Sequence, residues 1–308
     1  MPSRSFIDKI LLLSALLFFS LLIQPLYALE RAILQKQGVT LFFKEPLRSA
    51  AEEAGDLYPA IKIELETTIG WKIDFSPKVI LINNGKDFQR MADSKFIAAF
   101  AVPARGLIVI DYSKMKTAPF SIRAVMKHEL CHLLLHSHIK RGDLPKWLDE
   151  GIAQWVSGGL ADIVMTQKDS VLHRAVLSDR LISIRAMTES FPREKRRLML
   201  AYAESRSLVE YIIGEYELDG ILKLLDLLKS GESPDSAILK AFEISFDELE
   251  RRWYNSLKKR ITWFVVLANN LYGLLFFAAA LILIIGFIRV LIKKREYEGS
   301  EEEDPFFS

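Results

Sequence analysis

Cysteine is nearly absent from this chain. Its 308 residues hold one, Cys131, so no intramolecular disulfide can form and the redox compartment cannot be read from bridges. A surplus of one charge is missing too. The 41 lysines and arginines stand against 39 acidic residues, a net of +2 at pH 7, which gives no argument for nucleic acid as a partner. No internal repeat is evident, which sets solenoids aside. Hydrophobic residues, by contrast, make up 50% of the chain, and the excess sits at its two ends. The length allows one large domain or two small ones.

Histidine is scarce, with five in the chain, yet three of them fall in one row. In His128-Glu129-Leu130-Cys131-His132 the two histidines are four apart, so on a helix they stack on one face and both reach a single metal ion. Glu129 borders that face. Zn²⁺ lowers the pKa of a bound water to roughly 7, and a neighbouring carboxylate can complete the deprotonation, which makes Glu129 the candidate base. The plain alternative is a helix with polar residues on an exposed side. His136 continues the row but lies one turn too far to complete the same tetrahedron. It, His138 and His173 read as surface or core histidines, and Cys131 as a packing residue.

A second stretch, Leu144-Pro145-Lys146-Trp147-Leu148-Asp149-Glu150-Gly151-Ile152-Ala153, follows after enough chain for a loop and a new helix. Pro145 suits a first turn, and Asp149 with Glu150 places acid near a positive helix end. Glu150 is then the third protein ligand, leaving the fourth position open. Gln154, one turn later, could hydrogen-bond a metal-bound imidazole from outside the ligand set, and simple helix polarity explains it equally well.

His-Glu-x-x-His followed by Trp-Leu-x-Glu-Gly-x-Ala resembles the gluzincin metallopeptidases, and most of all the peptidase MA-like family, over roughly Leu41 to Tyr254. The resemblance implies an α+β, zincin-like domain with a mixed sheet and active-site helices, followed by a helical half. It also implies one Zn²⁺ per chain on a two-helix site and a peptide or protein substrate. Gluzincins hold the substrate backbone extended along an edge strand beside the zinc, and Phe96–Val102 is similar in position. Those of the aminopeptidase type supply a tyrosine hydroxyl from a helix after the glutamate helix. Tyr202 resembles that tyrosine in its Tyr-x-x-(small) setting, although Glu204-Ser205 replaces the more familiar pattern.

Local patterns place the remaining elements. Residues 1–28 read as a secretory signal: Arg4 and Lys9, then an apolar run from Ile10 to Ile23, then a cleavage segment from Pro25 to Ala28, with Leu26 in place of a small residue leaving an uncleaved anchor as the alternative. Residues 29–258 then form the peptidase-like domain. Strands are expected at Val39–Phe43, Lys78–Ile82, Phe96–Val102 and Leu107–Asp111, the last two joined by a turn at 103–106. Leu47–Ile69 has a helical period that Pro59 is expected to kink or split. A short helix covers Asp87–Ala92, and the metal helix runs from Ile122 to about His136 with Ser121 as N-cap. Between Gly158 and Pro192 no clean period emerges. Helices return at Tyr202–Tyr216 and Gly220–Lys229, then after Ser233-Pro234 and after the capping box Ser245-x-x-Glu248. Residues 261–292 form a membrane span with an uncharged core at Leu271–Ile288 and basic residues on both flanks. An exported domain before it would leave the tail, 293–308, in the cytoplasm.

The sequence therefore predicts a single-pass membrane protein anchored in the bilayer by one C-terminal helix, with a zinc-dependent metallopeptidase domain on the extracytoplasmic side. The alternative is a non-catalytic exported module that keeps the fold and binds an envelope partner.

Overall fold

A computed structural model describes residues 32–92, 97–115, 121–140, 143–158 and 168–301. The expected signal segment and residues 302–308 lie outside the described residues, as does Phe96. The chain divides into two compact units, one ending at Arg251 and the other beginning at Arg252.

Among the described residues, the first unit begins with a hairpin whose first strand the sequence patterns missed. Strands β1 (Ala32–Lys36) and β2 (Val39–Phe43) pair antiparallel around a two-residue turn. Both turn residues have positive φ, Gln37 at 50° and Gly38 at 93°, the backbone whose twist matches that of the flanking strands. Helix α1 (Arg48–Ile69) crosses over to β3 (Lys78–Ile82), which pairs parallel with β2. Pro59, expected to kink or split α1, does not split it: the helix is continuous from Arg48 to Ile69. Proline removes one backbone bond, but buried Ala50, Ala54 and Tyr58 before it, and Ile61 and Leu65 beside and after it, anchor both halves in the core.

Helix α2 (Gly85–Met91) begins two residues earlier than its sequence pattern suggests, because the Asn84 side chain accepts from the Lys86 N–H as an N-cap. Strands β4 (Ala99–Val102) and β5 (Leu107–Asp111) complete a sheet of order β1-β2-β3-β5-β4. Its centre is parallel and its two outer strands run antiparallel. The register sets Leu41, Val79 and Ile108 side by side across three strands, all buried. This is the mixed sheet that strands alternating with helices require.

Helix α3 (Ile122–His138) packs against β4, β5 and α1, and α4 (Lys146–Val156) packs between α3 and the later helices. Then come α5 (Lys168–Leu177), a 3₁₀ turn at Ile184–Met187, and α6 (Lys195–Lys229). Inside α6, Glu217 has φ 59° and ψ −177°, a break that separates the two helical stretches the sequence shows there. Helix α7 (Pro234–Phe242) starts at Ser233, whose hydroxyl accepts from Ser236, and α8 (Phe246–Glu301) starts behind Ser245, whose hydroxyl accepts from the Glu248 N–H.

Within α8, Leu275–Lys293 is long and apolar enough to cross a membrane. Its large side chains are exposed, Phe276 at 79% and Leu283 at 73%. A helix apolar on every face is not built for water.

Candidate metal centre

Helix α3 is buried on most of its circumference. Val125, Met126, Leu130, Leu133 and Leu134 fix it in the core, and His128, Glu129 and His132 are buried as well, at 7%, 5% and 8% exposure. Buried polar side chains must find partners, and here they converge. The Nε2 atoms of His128 and His132 lie 3.2 Å apart. Helix α4 brings Glu150 to them, with Oε2 at 3.6 Å from each Nε2.

That triangle has the dimensions of one face of a coordination tetrahedron. Ligand bonds of about 2.0–2.1 Å put neighbouring ligand atoms on the order of 3.3 Å apart. Glu150 Oε2 is buried and has no hydrogen-bond partner, an expensive arrangement for a carboxylate unless a cation sits before it. Two imidazoles and a carboxylate suit a divalent ion of intermediate softness. His128, His132 and Glu150 can hold a metal ion.

The surrounding groups prepare these donors. The His132 Nδ1–H donates to Asp149 Oδ1 at 2.6 Å, which leaves its Nε2 lone pair facing the triangle. His136, expected as a surface or core residue, meets the other oxygen of Asp149 at 3.1 Å. Burial alone would raise the Asp149 carboxyl pKa, but His132, His136 and Lys146 outweigh it and hold it well below the usual carboxylate range. Glu150 follows the same pattern. Burial opposes its charge, while Lys146 and the two histidines push its pKa far down. Burial opposes the charge of His132, and Asp149 and Glu150 outweigh it and push its pKa up. Glu129 is raised, chiefly by burial and against the pull of His128 and His132. A raised carboxylate pKa makes a better base near neutral pH.

Helix α4 is placed by close approach. A Cβ on Gly151 would lie 2.6 Å from the Ser205 carbonyl oxygen and 2.6 Å from Val209 Cγ2, so only glycine lets α4 and α6 touch here. The Lys146 N–H at its start donates to the Thr188 carbonyl at 2.7 Å. That bond caps a helix whose N-cap residue, Pro145, offers no capping side chain.

Gln154, expected beside an imidazole, turns its amide nitrogen elsewhere. It donates to the Tyr202 carbonyl at 3.1 Å and ties α4 to α6. The imidazole's partner is Asp149, one residue before Glu150 and so on a different face of α4 from Gln154. Tyr202 itself is half-buried, its ring edge-to-face on Phe191 with centroids 5.2 Å apart. Burial first, and then the charge of Glu150, push its hydroxyl pKa up, with Glu129 and Asp149 adding to the shift and Lys146 opposing it. The hydroxyl therefore stays a proton donor within electrostatic reach of the site. Lys146 is the residue the sequence patterns did not single out. Its Nζ lies 2.8 Å from Glu150 Oε1 and 3.5 Å from Asp149 Oδ2, and its i,i+4 spacing to Glu150 was the available signal. Cys131 is buried and its thiol pushed well up by that burial, as a packing residue should be. His138 stacks on Trp71 at 4.9 Å.

Strand β4 is the outer strand of the sheet on the side against which α3 packs. Among the described residues no strand pairs with its outer edge.

With two histidines four apart on one helix and a glutamate on the next, the chain belongs to the Peptidase MA superfamily, whose sequence profile matches residues 63–259. No curated protein matches it. The superfamily assignment and the donor triangle together define a peptidase-like protein with a site for a metal ion.

Proposed function

We propose that the chain is a membrane-anchored, zinc-dependent metallopeptidase that hydrolyses peptide bonds on the extracytoplasmic side of the membrane. The observation that carries this reading is the buried triangle of donor atoms at tetrahedral spacing with Glu129 beside it. His128, His132 and Glu150 would hold the ion, and zinc when bound supplies Lewis acidity to a carbonyl and acidifies water.

The chain's own residues do the rest. Glu129 takes the proton from the attacking water and passes it to the leaving amine; its raised pKa suits both halves of that transfer. The Tyr202 hydroxyl donates to the oxygen that gains negative charge as the carbonyl is attacked. Asp149 keeps the His132 ring in one tautomer and one orientation. The outer edge of β4 receives an extended substrate through backbone hydrogen bonds, so many sequences fit. Residues 1–28 export the domain, and Leu275–Lys293 anchors it with the C-terminus in the cytoplasm.

The test is metal content and casein hydrolysis by the full-length protein in detergent. About one zinc per chain is expected, with activity abolished by a strong chelator. Glu129→Gln should lose activity while keeping its zinc, because Glu129 is a base and not a ligand. Zinc loss in that variant, or full activity without metal, overturns the assignment.

A further inference from the structure

We infer that Lys146 is a positioning residue that confines Glu150 to one coordinating oxygen and so keeps a coordination place open at the metal. The inference rests on the metal site proposed above and goes beyond it by naming what sets the coordination number.

A carboxylate offers two equivalent oxygens, and a divalent ion can take one or both. Something outside the ligand set must choose. Here the two oxygens of Glu150 have different surroundings. Oε1 lies 2.8 Å from Lys146 Nζ, a charge-assisted contact that fixes the carboxylate plane. Oε2 has no hydrogen-bond partner and stands 3.6 Å from both histidine Nε2 atoms. One oxygen is taken by the ammonium, and the other is left for a cation.

Lys146 is itself held in place. Its Nζ also lies 3.5 Å from Asp149 Oδ2, and its backbone N–H is bonded to the Thr188 carbonyl. The lysine, the residue supporting His132 and the ligand Glu150 thus occupy one turn of α4 and move together. The charges also balance. Glu129, Asp149 and Glu150 carry three negative charges when ionised, and a divalent ion with one ammonium supplies three positive ones. Without the lysine the loaded site would be left negative, and the freed Oε1 would turn to the metal ion.

The experiment uses the full-length protein in detergent, stripped of metal and loaded with Co²⁺ alone. Four-coordinate cobalt absorbs strongly in the visible, and five- or six-coordinate cobalt weakly. Wild-type protein should show the strong band. Lys146→Met should still bind cobalt but with the band weakened, and Lys146→Arg, whose guanidinium can still donate to Oε1, should restore it. In the zinc-loaded forms, kcat should fall about 10–100-fold in Lys146→Met with KM little changed. Lys146→Gln, too short to reach Oε1, gives a second test should the methionine variant not fold.

A wild-type cobalt spectrum in Lys146→Met or Lys146→Gln overturns the inference even if activity falls, since Lys146 would then act on something other than the ligand. A weak band in the wild type overturns it too, because no open four-coordinate site would exist to protect. Failure of the peptidase reading looks different: cobalt binds with the strong band, but no peptide is cut. The spectra of the lysine variants still decide the role of Lys146 in that case.

Discussion

Replacing Gly151 with alanine should damage metal binding more than it damages the fold. The added Cβ would stand 2.6 Å from both the Ser205 carbonyl oxygen and Val209 Cγ2, where ordinary contact begins at 3.4 Å. Val209 can rotate away, but Ser205 O is backbone and can move only with α6. The helices must therefore part by ~0.8 Å, and overpacking of this kind costs about 1–3 kcal/mol. Glu150 precedes Gly151 on the same helix and travels with it, out of register with His128 and His132 on α3. Metal sites hold their ligands to within about 0.2 Å, so a shift of this size distorts the triangle. Full-length Gly151→Ala should unfold several degrees lower without metal, and should lose at least tenfold in zinc affinity by competition with a chromogenic chelator, in line with a displaced ligand. Unchanged zinc affinity would refute the reasoning, because it would mean that α4 does not move as a rigid body with Glu150. An unchanged melting temperature would show that the close approach to α6 is not real.

Three further outcomes are open to test. Glu204 is fully buried and accepts from the Ile182 N–H at 3.0 Å. Burial, with Glu250 adding to it, pushes its pKa up to about 8 from an ordinary 4.5. The folded state then binds the proton more tightly than the unfolded one, so stability is full below the unfolded value and is lost as pH rises through 8, by on the order of a few kcal/mol. Glu204→Gln keeps an acceptor for Ile182, and it should melt higher than wild type at pH 8.5 and close to it at pH 5; parallel pH profiles would refute this. Tyr202→Phe should lower kcat by about 10²–10³-fold with KM and zinc content little changed, the pattern of lost transition-state stabilisation; a near-normal kcat would return Tyr202 to a packing role. For topology, a reporter active only outside the cytoplasm should work when fused after Lys259 and be silent after Lys294, and activity at both points would mean that the apolar segment does not span.

Short-range periodicity accounts for what was legible without coordinates. A helix turns once in 3.6 residues, so His128 and His132 share a face whatever surrounds them, and their separation follows from local geometry. The glutamate helix, the caps at Ser233 and Ser245 and the apolar stretch within α8 are local in the same sense, each set by residues within one or two turns. The parallel strands at Lys78–Ile82 and Leu107–Asp111 announced themselves as short apolar runs. Where a local rule competed with packing, packing won: α1 continues through Pro59 because core residues on both sides hold it. The first strand escaped notice because Ala32–Lys36 is only half-buried and its alternation is weak.

The roles around the metal site were settled at longer range. His132 takes Asp149 as its partner, and Gln154 turns to the Tyr202 carbonyl, because the rotation of α4 about its axis decides which residues face α3 and which face α6. That rotation is set by the contact of Gly151 with Ser205, 54 positions along the chain, and by the bond from Lys146 to Thr188. Spacing along α4 puts Lys146 one turn from Glu150, but only the depth of Glu150 in the fold makes it a partner to a buried carboxylate. The sequence by itself determined which side chains could bind a metal, since spacing along a helix is enough for that. Tertiary structure alone decided which oxygen of Glu150 is left for the ion and which groups hold the others in place. Those choices depend on the angle and distance between helices, and these exist only once the core has packed.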